Sequence, residues 1–298
     1  QDGWERYEWR RKINDIPIQN FDVPDWDGKP LDGTLLVHAE QGHGDTFQFC
    51  RFLELAGQRV QKLFFLCPPI LRPILSGLRG KVQIITDPSQ LPSFDCQTPL
   101  MSLPYRLGLM ENIGVDIPYL DSAEERRSYW KEELAALPGQ KVGLVWQGNP
   151  NYRDDGRRSI RLEYLHPLSE VPNLQFVSLQ KEHGLDQLKT LADIWTIVDW
   201  NTRLDIHSGA FVDSAAILSE VSLLITSDTS IAHLAGALGV EVWLLLADVA
   251  DWRWGLEEST LWYPTMRLFR QRQSGNWGEV VGRVKQALLE KFTDENKN

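Results

Sequence analysis

The sequence predicts an α/β protein made of two parallel-sheet halves that follow one another along the chain. Three observations carry this expectation. From residue 33 onward, short β-branched or aliphatic runs alternate with helical segments, the signature of strands joined by crossover helices. A breaker, Leu137-Pro138-Gly139-Gln140, interrupts the chain, and the same alternation then starts again. No internal repeat of 20 to 50 residues competes with this reading, and 298 residues suffice for two domains of roughly 100 to 150 residues each.

Taken in order, the first dozen residues place Trp4, Tyr7 and Arg11 on one helical face, and a proline-bearing stretch at 14–30 reads as a linker. The first half then shows strands at 34–39, 62–67, 82–86 and 94–98, with helices at 46–56, 69–78, 101–109 and 123–136. The second half shows strands at 142–146, 175–179, 195–199, 223–226, 242–246 and 267–269, with helices at 162–166, 184–191, 211–220 and 229–238. A last amphipathic helix at 277–292 carries Val280, Val281, Val284, Leu288 and Leu289 on one face and is expected to pack back across both halves. The polar tail 293–298 is expected to fray. These elements divide the chain at 1–30, 31–138, 139–275 and 276–298.

Composition narrows the function classes. A formal charge of -10 disfavours nucleic acid as the main partner, because phosphate contacts need a basic surface. No apolar run approaches the ~20 residues of a membrane span. Cys50, Cys67 and Cys96 form no Cys-x-x-Cys pair and sit in apolar stretches, which suits reduced core residues in the cytoplasm. The start, Gln1-Asp2-Gly3-Trp4, has neither an initiator Met nor a signal-peptide pattern, so the natural chain is expected to begin further upstream.

Several constellations could carry chemistry. The loop Glu40-Gln41-Gly42-His43-Gly44-Asp45-Thr46 lies between the first strand and its helix, where open α/β sheets bind ligands. It is not a dinucleotide fingerprint: Phe47 stands where a third glycine would fall, and the second strand ends in Cys67-Pro68-Pro69 with no acidic residue for a ribose. Asp45 reads either as the N-cap of the following helix or as a general base, and His43 offers a second candidate base. Gln41, with the glycines Gly42 and Gly44, would let the backbone approach a ligand closely.

Further along, Thr226-Ser227-Asp228-Thr229-Ser230 runs from a strand into a helix of small residues that also holds His233. Free N–H groups there, with the hydroxyls of Thr229 and Ser230, suit a phosphate; plain capping by Asp228 over a buried His233 is the competing reading. Gln147 and Asn149, Arg158, and Gln180 with Lys181 follow predicted strand ends on the same edge, where arginine suits a diphosphate and Gln180 and Lys181 suit a base or ribose. Trp252 and Arg253 follow another strand end, and indole faces there suit a sugar ring or a core lid. The acidic pairs Asp25 with Asp27, Asp154 with Asp155, and Asp248 with Asp251 lack histidine partners or a calcium-loop pattern, so no metal and no cofactor is expected.

These residues resemble a known family: the glycosyltransferase region of bacterial tetratricopeptide-repeat proteins, related to the family 9 heptosyltransferases and more distantly to the O-linked N-acetylglucosamine transferases. The resemblance rests on HAEQGHGDT at 38–46 with QFCR at 48–51, VGLVWQGNP at 142–150, RSI at 158–160, SLQK at 178–181, DTSIAHLAGALG at 228–239, and DWRW at 251–254 with WYPTMRLFRQ at 262–271. The run at 228–239 is the most specific. The aromatic start GWERYEWR at 3–10 resembles the end of the repeat array that precedes such domains.

The resemblance implies a GT-B fold, two facing Rossmann-like domains with the acceptor on the first and a nucleotide-sugar donor on the second. It implies inverting, metal-independent transfer, with Asp45 as base and the helix at Thr229, with Lys181 or Arg158, receiving the leaving phosphate. A protein or glycan would be the acceptor, chosen by the upstream repeats. Departures at Gln147 and in a downstream lysine leave the donor's identity open. Nucleotide-sugar 2-epimerases, and a scaffold domain without turnover, share the fold and remain alternatives.

Overall fold

Strands that are apolar at consecutive positions must be covered on both faces, and both sheets are built of such strands. The computed structural model describes residues 2–13, 19, 21–109 and 116–294. The chain divides into two compact units, Gln1–Asp121 with Gly209–Phe211, and Ser122–Ser208 with Val212–Asn298. Parts of the expected linker (14–18 and 20) and tail (295–298) lie outside the described residues.

The first unit holds β1 (Leu31–His38), β2 (Val60–Leu66), β3 (Val82–Ile85) and β4 (Cys96–Pro99), all parallel in the order β3-β2-β1-β4. Leu35, Leu36 and Val37 of the central strand are completely buried, so both faces of β1 are covered. On one of them Leu36, Phe64 and Leu66 pack with Phe21, Ile85, Leu91 and Phe94. The expected helix at 46–56 begins earlier, at His43, and is broken into His43–Phe49, a 3-10 turn Cys50–Phe52, and Leu53–Gly57. The helix expected at 69–78 is likewise short: a 3-10 turn, Pro69–Leu71, runs into Arg72–Leu75.

The N-terminal segment forms a helix, Asp2–Tyr7, and a 3-10 turn, Glu8–Lys12. It is docked on the first unit. Trp4 meets Phe49 edge-on with centroids 6.2 Å apart, and Arg10 is 5 % exposed against Glu40. Trp26 is buried too, its indole N–H donating to the Lys29 carbonyl.

The second unit holds β5 (Gln140–Val145), β6 (Leu174–Ser178), β7 (Ile197–Asp199), β8 (Leu223–Ser227), β9 (Val242–Leu246) and β10 (Met266–Arg270). All are parallel, in the order β10-β9-β8-β5-β6-β7. Counted from its own first strand this is the doubly wound 3-2-1-4-5-6 sequence, whose ligand crevice opens where the order reverses. That reversal lies between β5 and β8. In the first unit the corresponding reversal lies between β1 and β4. Each unit therefore presents one topological switch point, and the candidate loops after β1 and after β8 begin at these two places.

The helix Glu124–Ala135, assigned with the first half by its position before the Leu137-Pro138-Gly139-Gln140 breaker, belongs to the second unit. Its Trp130 is fully buried and donates to Asp213 of the helix Val212–Leu218 at 2.8 Å, and Arg126 donates to the same carboxylate at 2.7 Å. The C-terminal helix Trp277–Asp294 commits its apolar face to the second unit's core, where Val280, Val281, Val284 and Leu288 pack with Leu165, Leu168 and Phe269. Cys50, Cys67 and Cys96 are free and buried. Burial pushes the Cys50 thiol up to about 12 and those of Cys67 and Cys96 to about 11, so all three stay protonated and unreactive at neutral pH.

Candidate functional site

The end of β5, on one side of the second sheet's switch point, is held by a buried glutamine. Gln180, 2 % exposed just beyond β6, accepts through Oε1 from the backbone N–H groups of Trp146 and Gln147, both at 3.0 Å. Its Nε2 donates to the carbonyls of Gln147 at 2.8 Å and His183 at 2.9 Å. Sequence reasoning assigns Gln180 to a base or ribose; the structure spends its amide on clamping the ends of β5 and β6. Lys181 points its ammonium at the Leu204 carbonyl, 2.5 Å away. Gln147 accepts from Gln187 at 2.9 Å, and Asn149 closes an Asx turn by accepting from the Asn151 N–H.

Opposite this rim stands Arg158, at the end of a short helix, Asp155–Arg158, that the periodicity of the arginine-rich loop does not reveal. Its Nε donates to Asp155 and its Nη1 to the Asp228 carbonyl at 2.9 Å. Asp155 is 4 % exposed and also accepts from Ser159, whose hydroxyl accepts from the Gly148 N–H. A side chain at Gly148 would put its Cβ 2.4 Å from Asp155 Oδ1, so the strand-end loop fits the arginine only as glycine. The Asp154-Asp155 pair is thus part of an arginine mount.

β8 delivers Asp228 and Thr229 to the helix Ser230–Ala237. The Asp228 carboxylate accepts from the Trp254 indole at 2.9 Å. Burial nevertheless holds its pKa above the ordinary range, outweighing the Trp254 bond and the nearby Arg253 and Arg158. The N-cap of the helix is Thr229, not Asp228, and its side chain makes no capping bond. Thr229 Oγ1 and the fully buried Ser227 Oγ have no hydrogen-bond partner among the described residues. The first N–H groups of any helix also lack intrahelical acceptors. Unmet donors therefore gather beside a guanidinium, at the carboxyl edge where the strand order reverses.

One turn on, His233 is 3 % exposed, stacks on Trp254 with centroids 5.1 Å apart, and shares a 3.0 Å hydrogen bond with the Tyr263 hydroxyl. Gly236 makes room for that tyrosine: a Cβ there would lie 2.4 Å from Tyr263 Cδ1. Trp252 is half exposed at the rim, while Arg253 is tied to Asp251 at 2.9 Å. Tyr263 and Trp254 thus brace His233 and Asp228, contacts between segments about 20 to 30 positions apart that no local pattern signals.

In the first unit, Gln41 takes a left-handed conformation, φ +61°, and Gly42 caps the helix that starts at His43. Asp45 is therefore the third helical residue and not the N-cap. Its Oδ2 accepts from the Gly42 N–H at 2.9 Å, one half of a capping box; glycine has no side chain to return the other half. His43 meets Phe211 edge-on at 5.9 Å, and Phe211 also packs on Phe47 at 5.0 Å. Gln41 and Gly42 are exposed, and Gly44 and Asp45 half-buried. Behind the loop lies a buried charge pair, Arg10 with Glu40, that no local motif announces.

Carboxylates elsewhere are committed to cations: Asp25 to Arg11 and Arg106, Asp251 to Arg253. Among the described residues no group of three or more His, Cys, Asp or Glu is placed to hold a metal ion, and no helix is long and apolar enough to cross a membrane.

No protein-family model matches the chain. The chain is 27% identical over 320 residues to Protein FlbA of Caulobacter vibrioides, covering 96% of this chain and 52% of that protein, so it spans about half the length of that curated relative. Three solved structures share its architecture. The glycosyl transferase family 9 protein from Veillonella parvula aligns with a TM-score of 0.61 at 12% identity, covering 91% of this chain and 100% of that one. The E. coli heptosyltransferase WaaC, solved with ADP-2-deoxy-2-fluoro heptose, aligns at 0.55 and 12%, covering 88% and 99%. The dodecameric iron-containing heptosyltransferase TibC, from enterotoxigenic E. coli, aligns at 0.52 and 11%, covering 90% and 77%. These likenesses show the fold: two Rossmann-like α/β domains of the GT-B type.

Proposed function

We propose, on this GT-B fold, that the chain is a glycosyltransferase that moves a sugar from a nucleoside-diphosphate donor to a hydroxyl of a protein or glycan acceptor, with inversion and without a metal. The observation that carries the reading is the group of unmet donors at the second switch point. The half-buried Thr229 and Ser230 stand at a helix N-terminus whose preceding carbonyl is gripped by Arg158. A diphosphate supplies acceptor oxygens for the first-turn N–H groups and negative charge for the helix end and the guanidinium. The WaaC structure, with its bound ADP-sugar analogue, belongs to the same fold and supports a donor of this class.

In the proposed reaction the acceptor hydroxyl gives its proton to Asp45 as its oxygen attacks the anomeric carbon. The bond from that carbon to the phosphate oxygen breaks, and the nucleoside diphosphate departs with the electron pair. Negative charge grows on the leaving phosphate, where the Ser230 helix and Arg158 stabilise it. Arg158 suits that role because its bond to the Asp228 carbonyl holds the guanidinium at the start of that helix, while Lys181 is turned toward the Leu204 carbonyl. Asp155 and Asp251 are held by arginines, which makes them poor metal ligands and supports metal-independent transfer. His43 stands beside Asp45 as the second candidate base, and Gln41, Gly42 and Gly44 form the acceptor side of the loop.

Titration calorimetry with a panel of nucleotide-sugars, paired with intact-mass analysis of co-expressed acceptor, tests this reading. A donor that binds with an affinity reduced by Thr229→Ala/Ser230→Ala, and an acceptor heavier by one sugar, are the expected results. Donor epimerised at C2 without acceptor modification would favour the epimerase reading, and failure of every nucleotide-sugar to bind would refute both.

A further inference from the structure

We infer that Arg10 is a positioning residue for the Asp45 loop, acting through Glu40; the inference rests on the reading of Asp45 as the base. Glu40 lies between the end of β1 and the left-handed Gln41, five positions before Asp45. Its carboxylate is gripped by one edge of a guanidinium through two bonds: Arg10 Nη2 donates to Oε1 at 2.6 Å and Arg10 Nε to Oε2 at 3.2 Å. Oε1 also accepts from the Met101 N–H at 3.1 Å, so the carboxylate spans the switch point between β1 and β4. Arg10 is fixed in turn by Glu8 at 2.8 Å and by the Ser102 hydroxyl at 2.8 Å, and Ser102 donates to Glu8 at 2.8 Å. Each side chain of the Arg10–Glu40 pair is nine-tenths or more buried.

Stability alone does not account for such a pair. Two buried charges cost about as much to desolvate as they return, and apolar residues of similar volume commonly serve a core as well or better. What a forked, two-bond grip adds is fixed geometry. That geometry is needed here, because Gln41 holds a backbone conformation that side-chain-bearing residues adopt only where their surroundings enforce it. Gly42, next in line, donates its N–H to Asp45. Moving Glu40 therefore shifts the residue that orients the base.

Arg10→Lys keeps the charge and loses the fork. In an otherwise unaltered protein it is expected to lower kcat about 10- to 100-fold, the loss that follows displacement of a reacting group by about 1 Å, with donor KM within about twofold. In an Asp45→Asn background the same change is expected to cost less than about twofold, because no base is left to misplace. Glu40→Gln, which keeps the Met101 bond and the side-chain volume, serves as the second variant should Arg10→Lys fold poorly, and the same pattern is expected. Equal losses in both backgrounds, or no kcat loss from either variant, would overturn the inference. The Asp45→Asn single variant reports separately on the base reading: if it keeps full turnover that reading fails, whereas a dead Asp45→Asn with a fully active Arg10→Lys refutes the Arg10 inference alone.

Discussion

Replacing Asp45 by Asn separates structure from chemistry at the first switch point. In the folded chain the carboxylate accepts from the Gly42 N–H at 2.9 Å at the start of a seven-residue helix. Asn keeps an oxygen in that position and nearly the same volume. The structural loss is the interaction of a full charge with the first helical turn, about 0.3 to 1 kcal/mol, so denaturant midpoints should barely move. If Asp45 is the base, turnover falls 10²- to 10⁴-fold, which corresponds to about 2.7 to 5.4 kcal/mol at 1.36 kcal/mol per decade. The two magnitudes do not overlap. Steady-state release of nucleoside diphosphate in the presence of acceptor, with donor affinity checked by calorimetry, reads both. Retention of more than about a tenth of wild-type turnover, well short of a general-base loss, would refute the assignment and make His43 the next residue to replace.

Other expectations follow from the second unit. Thr229→Ala/Ser230→Ala should weaken donor binding by about 1 to 3 kcal/mol, the range for hydrogen bonds to a charged group; because Thr229 makes no capping bond, its removal should cost less stability than the ~1 kcal/mol of an ordinary N-cap. Gly236→Ala drives a Cβ into the Tyr263 ring and should destabilise the fold by about 1 to 3 kcal/mol while loosening the His233–Tyr263 bond, seen as a lowered Tm and weaker donor affinity. Asp213→Asn sets an amide NH₂ against donors that now converge on the carboxylate from Arg126, Trp130, Ser208 and the Asp205 N–H, at a cost of about 3 kcal/mol at pH 7. Burial opposes ionisation of Asp213, but those bonds win and hold its pKa below the ordinary value. Its stabilisation is therefore complete above about pH 4 and is lost as pH falls through the lower folded-state value, so the gap between wild type and variant should be flat from pH 5 to 8 and narrow below about 4. Asp205, whose pKa burial raises, has the opposite slope in both proteins. A gap that widens on acidification would contradict the assignment.

Regular alternation made the sheets legible: the ten strands among the described residues lie within a few residues of where β-branched and aliphatic runs put them, because parallel strands buried on both faces tolerate little else. Helix Glu124–Ala135 shows the limit. Chain order placed it with the first half, whereas its membership is set by which pocket takes Trp130, and the answer lies more than 80 positions away at Asp213. At the candidate site, the strand-to-helix junction at 226–230 was legible because an apolar run passing through hydroxyl residues into small residues marks a strand end and a helix start. The backbone bonds of Gln180 were not legible, since which stray N–H and carbonyl groups a polar side chain at a strand end satisfies depends on neighbours more than 30 positions away. Arg10 with Glu40 was hidden altogether: charges separated by 30 positions leave no local pattern.

The most direct measurement of the central claim is transfer itself, followed by intact mass on an acceptor hydroxyl protein or glycan supplied with nucleotide-sugar after exhaustive chelation. The expected result is an acceptor heavier by one sugar per event, equimolar release of nucleoside diphosphate, and loss of both in Thr229→Ala/Ser230→Ala at limiting donor. Transfer that stops on chelation and returns with a divalent ion would contradict the proposal of metal-independent transfer, and binding of donor with neither transfer nor diphosphate release across a broad acceptor panel would contradict the transferase reading as a whole.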